Sequence, residues 1–129
     1  MILDSTFLVD FERERRCQVE GPAMAFLQEH SAVNFAITFT IAGELAAGRS
    51  LGTNRRRWEA FIHPFRLLGY SREVGWQFGR VYRELQEQGS LIGANDLWIA
   101  ATALANNTAL VTRNARDFSR ISDLDVRSY

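Results

Sequence analysis

Ile2-Leu3-Asp4-Ser5-Thr6-Phe7 is the stretch on which the reading of this chain turns: two apolar residues, an acid, two small hydroxyl residues and an aromatic one. Such a run reads as a short buried strand closing in a polar turn, from which Phe7 to Phe11 begin a helix. Asp4 therefore falls at a strand's carboxyl end. In open parallel sheets, ligands bind outside the carboxyl ends of the strands, where the topology reverses. Whether Asp4 stands at such a point depends on the rest of the chain.

Beyond Phe11 the chain alternates between helix and strand. Gly21-Pro22 opens a helix to about His30, because proline suits a first turn and Ala23, Phe26 and Leu27 then share one face. Val33 to Phe39 is β-rich and continuous, as in a strand covered on both sides, and Thr40 then caps a helix to about Gly48. Asn54 to His63 is helical and Pro64 ends it, with Phe65 to Leu68 a candidate strand. Val74, Phe78, Val81, Tyr82 and Leu85 lie at helical spacing within 71–88, closed by Gly89. Asn95 caps a helix from Asp96 to about Asn106, Ala109 to Thr112 is a strand, and Asn114 to Phe118 turns out of it. Leu124 to Val126 adds a last edge strand. Brief apolar strands alternating with helices predict a three-layer α/β/α sandwich around a short parallel sheet, in one domain spanning 1–129.

Composition narrows the function. The 129 residues are 47% hydrophobic, enough for one real core. No basic leader precedes a long apolar run and no stretch reaches bilayer-spanning length, so the expectation is a cytoplasmic protein without a membrane partner. Cys17, the one cysteine, reads as a small, partly buried apolar residue. Acids and bases balance at 15 each, so a polyanion must be held by local patches. Every base is arginine, which excludes Schiff-base and P-loop lysine chemistry but suits bidentate phosphate contact. His30 and His63 read as structural or surface residues.

Four acids stand out by position. Asp4 succeeds a strand, Glu44 interrupts the apolar helix Ile41 to Ala47, Asp96 begins an apolar helix, and Asp117 comes after a strand and turn. At helical spacing Glu44 shares a face with Ile41 and Gly48, where an unpaired carboxylate is costly to desolvate. Something cationic should compensate it. An arginine would serve, and so would magnesium or manganese, hard ions that take carboxylate and water oxygens. Singly, Asp96 also suits a helix N-terminus, and Asp4 and Asp117 suit turns. Neither a cap nor a turn accounts for all four near one sheet edge. Ser5, Thr112 and Asn114 accompany them, either as turn residues or as groups that orient ligating carboxylates and water.

The segments Ile2 to Ser5, Ile41-Ala-Gly-Glu-Leu-Ala-Ala-Gly48, Asn95-Asp-Leu-Trp-Ile-Ala-Ala101 and Leu110-Val-Thr-Arg-Asn-Ala-Arg-Asp-Phe118 resemble, in order, the motifs of PIN domains. Within that family the resemblance is strongest to the VapC-type toxins of bacterial toxin–antitoxin pairs. It implies a PIN-like fold in which Asp4, Glu44, Asp96 and Asp117 are the catalytic ligands of Mg²⁺ or Mn²⁺, with Ser5, Thr112 and Asn114 supporting. It also implies an RNA substrate, a cognate antitoxin in the active-site groove, and a homodimer. The family's fourth acidic position varies between acid and amide, so Asp117 reaches the metal directly or through water. Trp98 is bulkier than the family's usual residue there, and is read as core in preference to a dimer contact or a surface on which a base stacks. Trp58, Phe61, Phe65 and Trp76 are read as core packing by default and interface residues otherwise.

The chemistry so implied is hydrolysis of an RNA phosphodiester by a metal-activated water, with one or two ions stabilising the attacking and leaving oxygens. Arg13, Arg15 and Arg16, and the run Arg55, Arg56 and Arg57, either hold the RNA strand or form a solvated face. A phosphoaspartate receiver or a haloacid-dehalogenase-type phosphatase would also place an acid after the first strand. Both resemblances call for a lysine, which is absent, and the second calls for an aspartate where Thr6 stands. The rival reading is a non-catalytic PIN-like RNA- or protein-binding module, which need not bind metal.

Overall fold

The structure, a computed structural model, describes all of residues 1–129. Strands β1 (Ile2–Leu3), β2 (Ala36–Thr38), β3 (Arg66–Leu68), β4 (Leu110–Val111) and β5 (Val126–Arg127) form one sheet in the order β3-β2-β1-β4-β5. Every neighbouring pair is parallel. Helices α1 (Ser5–Cys17), α2 (Pro22–Glu29), α3 (Phe39–Ala47), α4 (Arg55–Ile62), α5 (Arg72–Glu87), α6 (Ala94–Ala105) and α7 (Ala115–Phe118) connect the strands. From β1 the chain steps outward to β3, then crosses back to β4 on the far side of β1. The topology therefore reverses between β1 and β4, whose carboxyl ends open a crevice. Right-handed crossovers place α1 to α4 over one face and α5 and α6 over the other. The packing agrees, with α1 against α2 and α3, α3 against α4, and α5 against α6. The architecture is the expected α/β/α sandwich.

Sheet centre and core coincide. Ile2, Leu3, Ile37, Leu110 and Val111 have no accessible surface, which is why these strands read as apolar runs without alternation. Phe7, Ile41, Leu97, Ile99 and Phe118 continue the same core, each worth about 1.5–3 kcal/mol of burial. At the edge, β3 leaves Arg66 and Leu67 exposed. No helix is long and apolar enough to cross a membrane.

Several boundaries differ from the sequence expectation, each for a local reason. Helix α1 starts at Ser5 because Asp4 caps it, Oδ1 accepting the Ser5 amide at 2.7 Å. Strand β2 is shorter than 33–39, because Phe39 and Thr40 already belong to α3. Thr38, not Thr40, is the cap, its hydroxyl accepting the Ile41 amide at 3.1 Å. Helix α6 begins behind Gly93, so Asn95 is an exposed residue inside the first turn and caps nothing. Residues 115–118 form the short helix α7 rather than an open turn.

Three side-chain expectations are corrected as well. Cys17 is exposed at the end of α1. Trp76 is 61% exposed, because it lies on α5 opposite the stripe of Val74, Phe78, Val81 and Leu85, and Arg83 covers its ring. Trp98 is only partly buried and stands outside the main core, stacked on Phe78 at 4.0 Å with Phe39 and Tyr70 edge-on. Trp58, Phe61 and Phe65 do pack against the core.

Candidate active site

Asp4 is at once the residue that ends β1 and the cap of α1, and it is buried. Its Oδ2 accepts the Thr112 hydroxyl at 2.7 Å, and Thr6 Oγ1 lies 3.3 Å from the same oxygen. Thr112 directly succeeds β4, so this bond ties the two strands together across the point of reversal. Thr112 Oγ1 accepts the Asn114 amide at 3.0 Å, and Asn114 Nδ2 donates to Asp117 Oδ2 at 3.2 Å. Asp4, Thr112, Asn114 and Asp117 thus form one hydrogen-bonded series along the crevice.

Glu44 and Asp96 enter from α3 and α6. Burial pushes the Glu44 carboxyl above its ordinary range, the facing Ser5 hydroxyl pulls it back in part, and the charge of Asp4 pushes it up again. Its Oε1 is buried with no hydrogen-bond partner. The Asp96 carboxyl rises from an ordinary 3.8 to about 6, first through burial and then through the charges of Asp4, Glu44 and Asp117. One carboxylate that feels three others locates all four in a common field. No guanidinium pairs with Asp4, Glu44 or Asp96, and Asp117 alone has one nearby, Arg120 Nη2 at 3.5 Å. As the side chains stand, no three acids close on a single point. The donor set, carboxylates with hydroxyl and amide oxygens and no thiol or imidazole, suits a hard divalent cation.

The candidate arginines divide. Arg15, Arg16 and Arg57 line one cavity of about 390 Å³ with Glu12, Leu51 and Phe61. Glu12 holds Arg57 at 3.2 Å, whereas Arg15 and Arg16 have no ion-pair partner. A second cleft, lined by Ser5, Glu44, Glu12, Ser50 and Leu51, shares Glu12 and Leu51 with this cavity and has Glu44 in its wall. Arg13 is drawn to Asp10 at 2.9 Å and Arg55 to Glu59 at 2.9 Å, while Arg56 is exposed on α4. His30 is structural, stacked on Phe26 and bonded to its carbonyl, and His63 is exposed at the end of α4.

Two buried acids escaped the sequence reading. Glu14 accepts the Ala23 and Met24 amides at 3.2 and 2.8 Å and so caps α2 from outside, and a Cβ at Gly21 would overlap its carboxylate. Asp10 is bound by Arg13, Arg113 and Tyr129. The available signal was spacing: from Phe7, positions 10 and 14 fall on the buried stripe of α1.

The sequence matches the PIN domain family over residues 1–124. Ribonuclease VapC2 of Rickettsia felis is 32% identical over 98 residues, 73% of each chain. Ribonuclease VapC1 of Methanocaldococcus jannaschii is 27% identical over 129 residues, all of this chain and 86% of the relative. Among solved structures, VapBC2 from R. felis bound to a DNA fragment from its promoter superposes with a TM-score of 0.84 at 24% identity, covering 99% of this chain and 97% of that one. With the match running nearly end to end and four acids gathered where the parallel sheet reverses, this chain belongs to the PIN-domain family, with VapC ribonucleases among its relatives.

Proposed function

We propose that the protein is a divalent-metal-dependent endoribonuclease, the toxin of a toxin–antitoxin pair. The observation that carries this reading is the frustrated cluster itself: Glu44 Oε1 is buried without a partner, and Asp96 is held near pH 6 by burial and three neighbouring carboxylates. A buried carboxylate left unpaired costs free energy unless a cation arrives to neutralise it. Asp4, Glu44, Asp96 and Asp117 would hold Mg²⁺ or Mn²⁺, with Ser5, Thr112 and Asn114 fixing the carboxylates. When bound, such an ion supplies positive charge against the phosphodiester and acidifies a water for attack.

Charge supplies the remaining parts of the reading. An acidic crevice repels RNA, so the strand needs cations beside it; Arg15 and Arg16, without ion-pair partners, line a cavity bordered by Glu12 and Leu51, which also line the cleft at Glu44, and would hold phosphates there. The relatives named VapC and the VapBC complex support an antitoxin partner for this chain. The exposed Trp76 and Tyr70 are the aromatic surface on offer to a second copy of the chain.

Incubating the purified protein with single-stranded RNA, in Mn²⁺ and in chelator, tests the activity. Cleavage is expected only with metal, and Asp96→Asn is expected to remove it while the circular-dichroism spectrum stays native. Cleavage undiminished in Asp96→Asn would end the assignment. Failure of Mn²⁺ to bind by calorimetry would favour the non-catalytic module instead.

A further inference from the structure

Asp10 is a charged side chain in a place where charge is expensive. It sits on α1 with only 5% of its side chain exposed, yet it is far from unpartnered. Oδ1 accepts Arg13 Nη2 at 2.9 Å, Oδ2 accepts the Tyr129 hydroxyl at 2.7 Å, and Arg113 Nη1 forms an ion pair with Oδ2 at 3.0 Å. Two hydrogen bonds and an ion pair, from the same helix, from the segment after β4 and from the last residue, converge on one carboxylate.

Arg113 is the partner that matters for the site. It lies between Thr112, bonded to Asp4, and Asn114, bonded to Asp117, and its own amide donates to Thr6 Oγ1 at 3.3 Å. Thr112 and Asn114 direct their side chains to the acids. The Arg113 side chain alone reaches away from the acids, to Asp10 on α1, adding an ion pair to the backbone bond that ties this segment to Thr6. Tyr129 closes the arrangement from behind, its ring edge-on to Phe7 at 4.6 Å. Burial, helped by the bond to Asp10, pushes the Tyr129 hydroxyl above its ordinary range, which keeps it a donor.

We propose that Asp10 is a positioning residue that, by gripping Arg113 and Tyr129, holds residues 112–117 so that Asn114 and Asp117 face Asp4. The inference rests on the nuclease reading for its consequence, though not for its geometry. Partners one layer behind metal ligands typically change metal affinity or activity about 10- to 100-fold when removed.

The test compares Arg113→Met, Asp10→Asn and Glu14→Gln in the full chain. Glu14 is the control, a buried acid on the same helix that caps α2 and touches nothing in the site. Amide hydrogen exchange is measured at 113–118, together with Mn²⁺-dependent kcat and KM on RNA per folded molecule. Arg113→Met and Asp10→Asn should speed exchange there and lower kcat about 10- to 100-fold with KM little changed, while Glu14→Gln leaves both as in the parent. Arg113 is exposed enough that its variant is expected to fold even if Asp10→Asn does not. Unchanged exchange in Arg113→Met would overturn the proposal, and so would an equal loss of kcat in Glu14→Gln. If the unaltered protein cleaves no RNA, the nuclease reading falls, and the exchange comparison still judges whether the clamp holds the segment.

Discussion

Asp96 carries a pH dependence whose sign can be worked out. Its carboxyl titrates near 6 in the fold against 3.8 ordinarily, so between those values the folded protein binds more protons than the unfolded one. Stability then falls as pH rises through that window, because unfolding becomes the route by which the group ionises cheaply. In chelator, the melting temperature of the parent is therefore expected to drop relative to Asp96→Asn between about pH 4 and pH 7, where the variant has no such group to ionise. Mn²⁺ should reverse the difference, stabilising the parent increasingly as pH rises while leaving Asp96→Asn little changed, since the bound form needs the carboxylate ionised. Parallel melting curves for the two proteins in chelator would count against the raised carboxyl. Glu44→Gln is expected to act in the same direction, raising the metal-free melting temperature while abolishing cleavage, because it removes a half-buried charge that burial and the neighbouring Asp4 disfavour. These four acids stood out in the sequence by position: Asp4 follows and Glu44 interrupts an apolar run, Asp96 opens an apolar helix, and Asp117 comes after a strand and turn. Asp10 and Glu14 were passed over, because Asp10-Phe-Glu-Arg-Glu-Arg-Arg16 is so polar that it looks like a solvated helix end and masks their helical spacing from Phe7; their partners in the fold show why burial is tolerated.

At the level of elements, the caps couple fold to site. Thr38 ends β2 and begins α3, the helix that delivers Glu44, and its hydroxyl satisfies the Ile41 amide in a fully buried position. Thr38→Ala should cost about 1 kcal/mol through the lost cap, measurable as a lower urea midpoint. It should also lower Mn²⁺ affinity by freeing the first turn of α3; an unchanged affinity would show that Glu44 is placed by packing of Ile41 and Leu45 alone. Thr40 looked like the cap because both threonines precede the same apolar helix, and only the backbone path decides which hydroxyl faces the free amides. The same ambiguity misplaced the start of α6, where Asn95 has the right chemistry but Gly93 has the extended backbone. Strand identity, by contrast, was readable from short apolar runs, since a central parallel strand has both faces covered and needs no alternation. The order β3-β2-β1-β4-β5 was not readable from any run, because it depends on which connections cross the sheet, yet the rule that sites open at the reversal was enough to pair Asp4 with Thr112.

The whole molecule carries no net charge, so under the proposed nuclease reading any affinity for RNA has to come from how charge is divided between neighbouring surfaces. The acids lie where the sheet reverses, and Arg15 and Arg16, which have no ion-pair partner, line a cavity that shares Glu12 and Leu51 with the cleft containing Glu44. If those two guanidiniums neutralise phosphates, they set most of the salt dependence of binding, because each neutralised phosphate of a single strand contributes about 0.7 to the slope of log affinity against log salt. Measured by fluorescence anisotropy with the non-cleaving Asp96→Asn protein in Mn²⁺, the double variant Arg15→Gln/Arg16→Gln should therefore lose about 1.4 from that slope. Arg55→Gln, whose guanidinium is already engaged by Glu59 at 2.9 Å, should leave the slope nearly where it was. Equal slopes for all three proteins would make the α1 arginines a solvated face and move the RNA path to another side of the acids. A reduced slope in the double variant alone would fix the strand's course, running from the carboxylates past Glu12 towards the carboxyl-terminal end of α1.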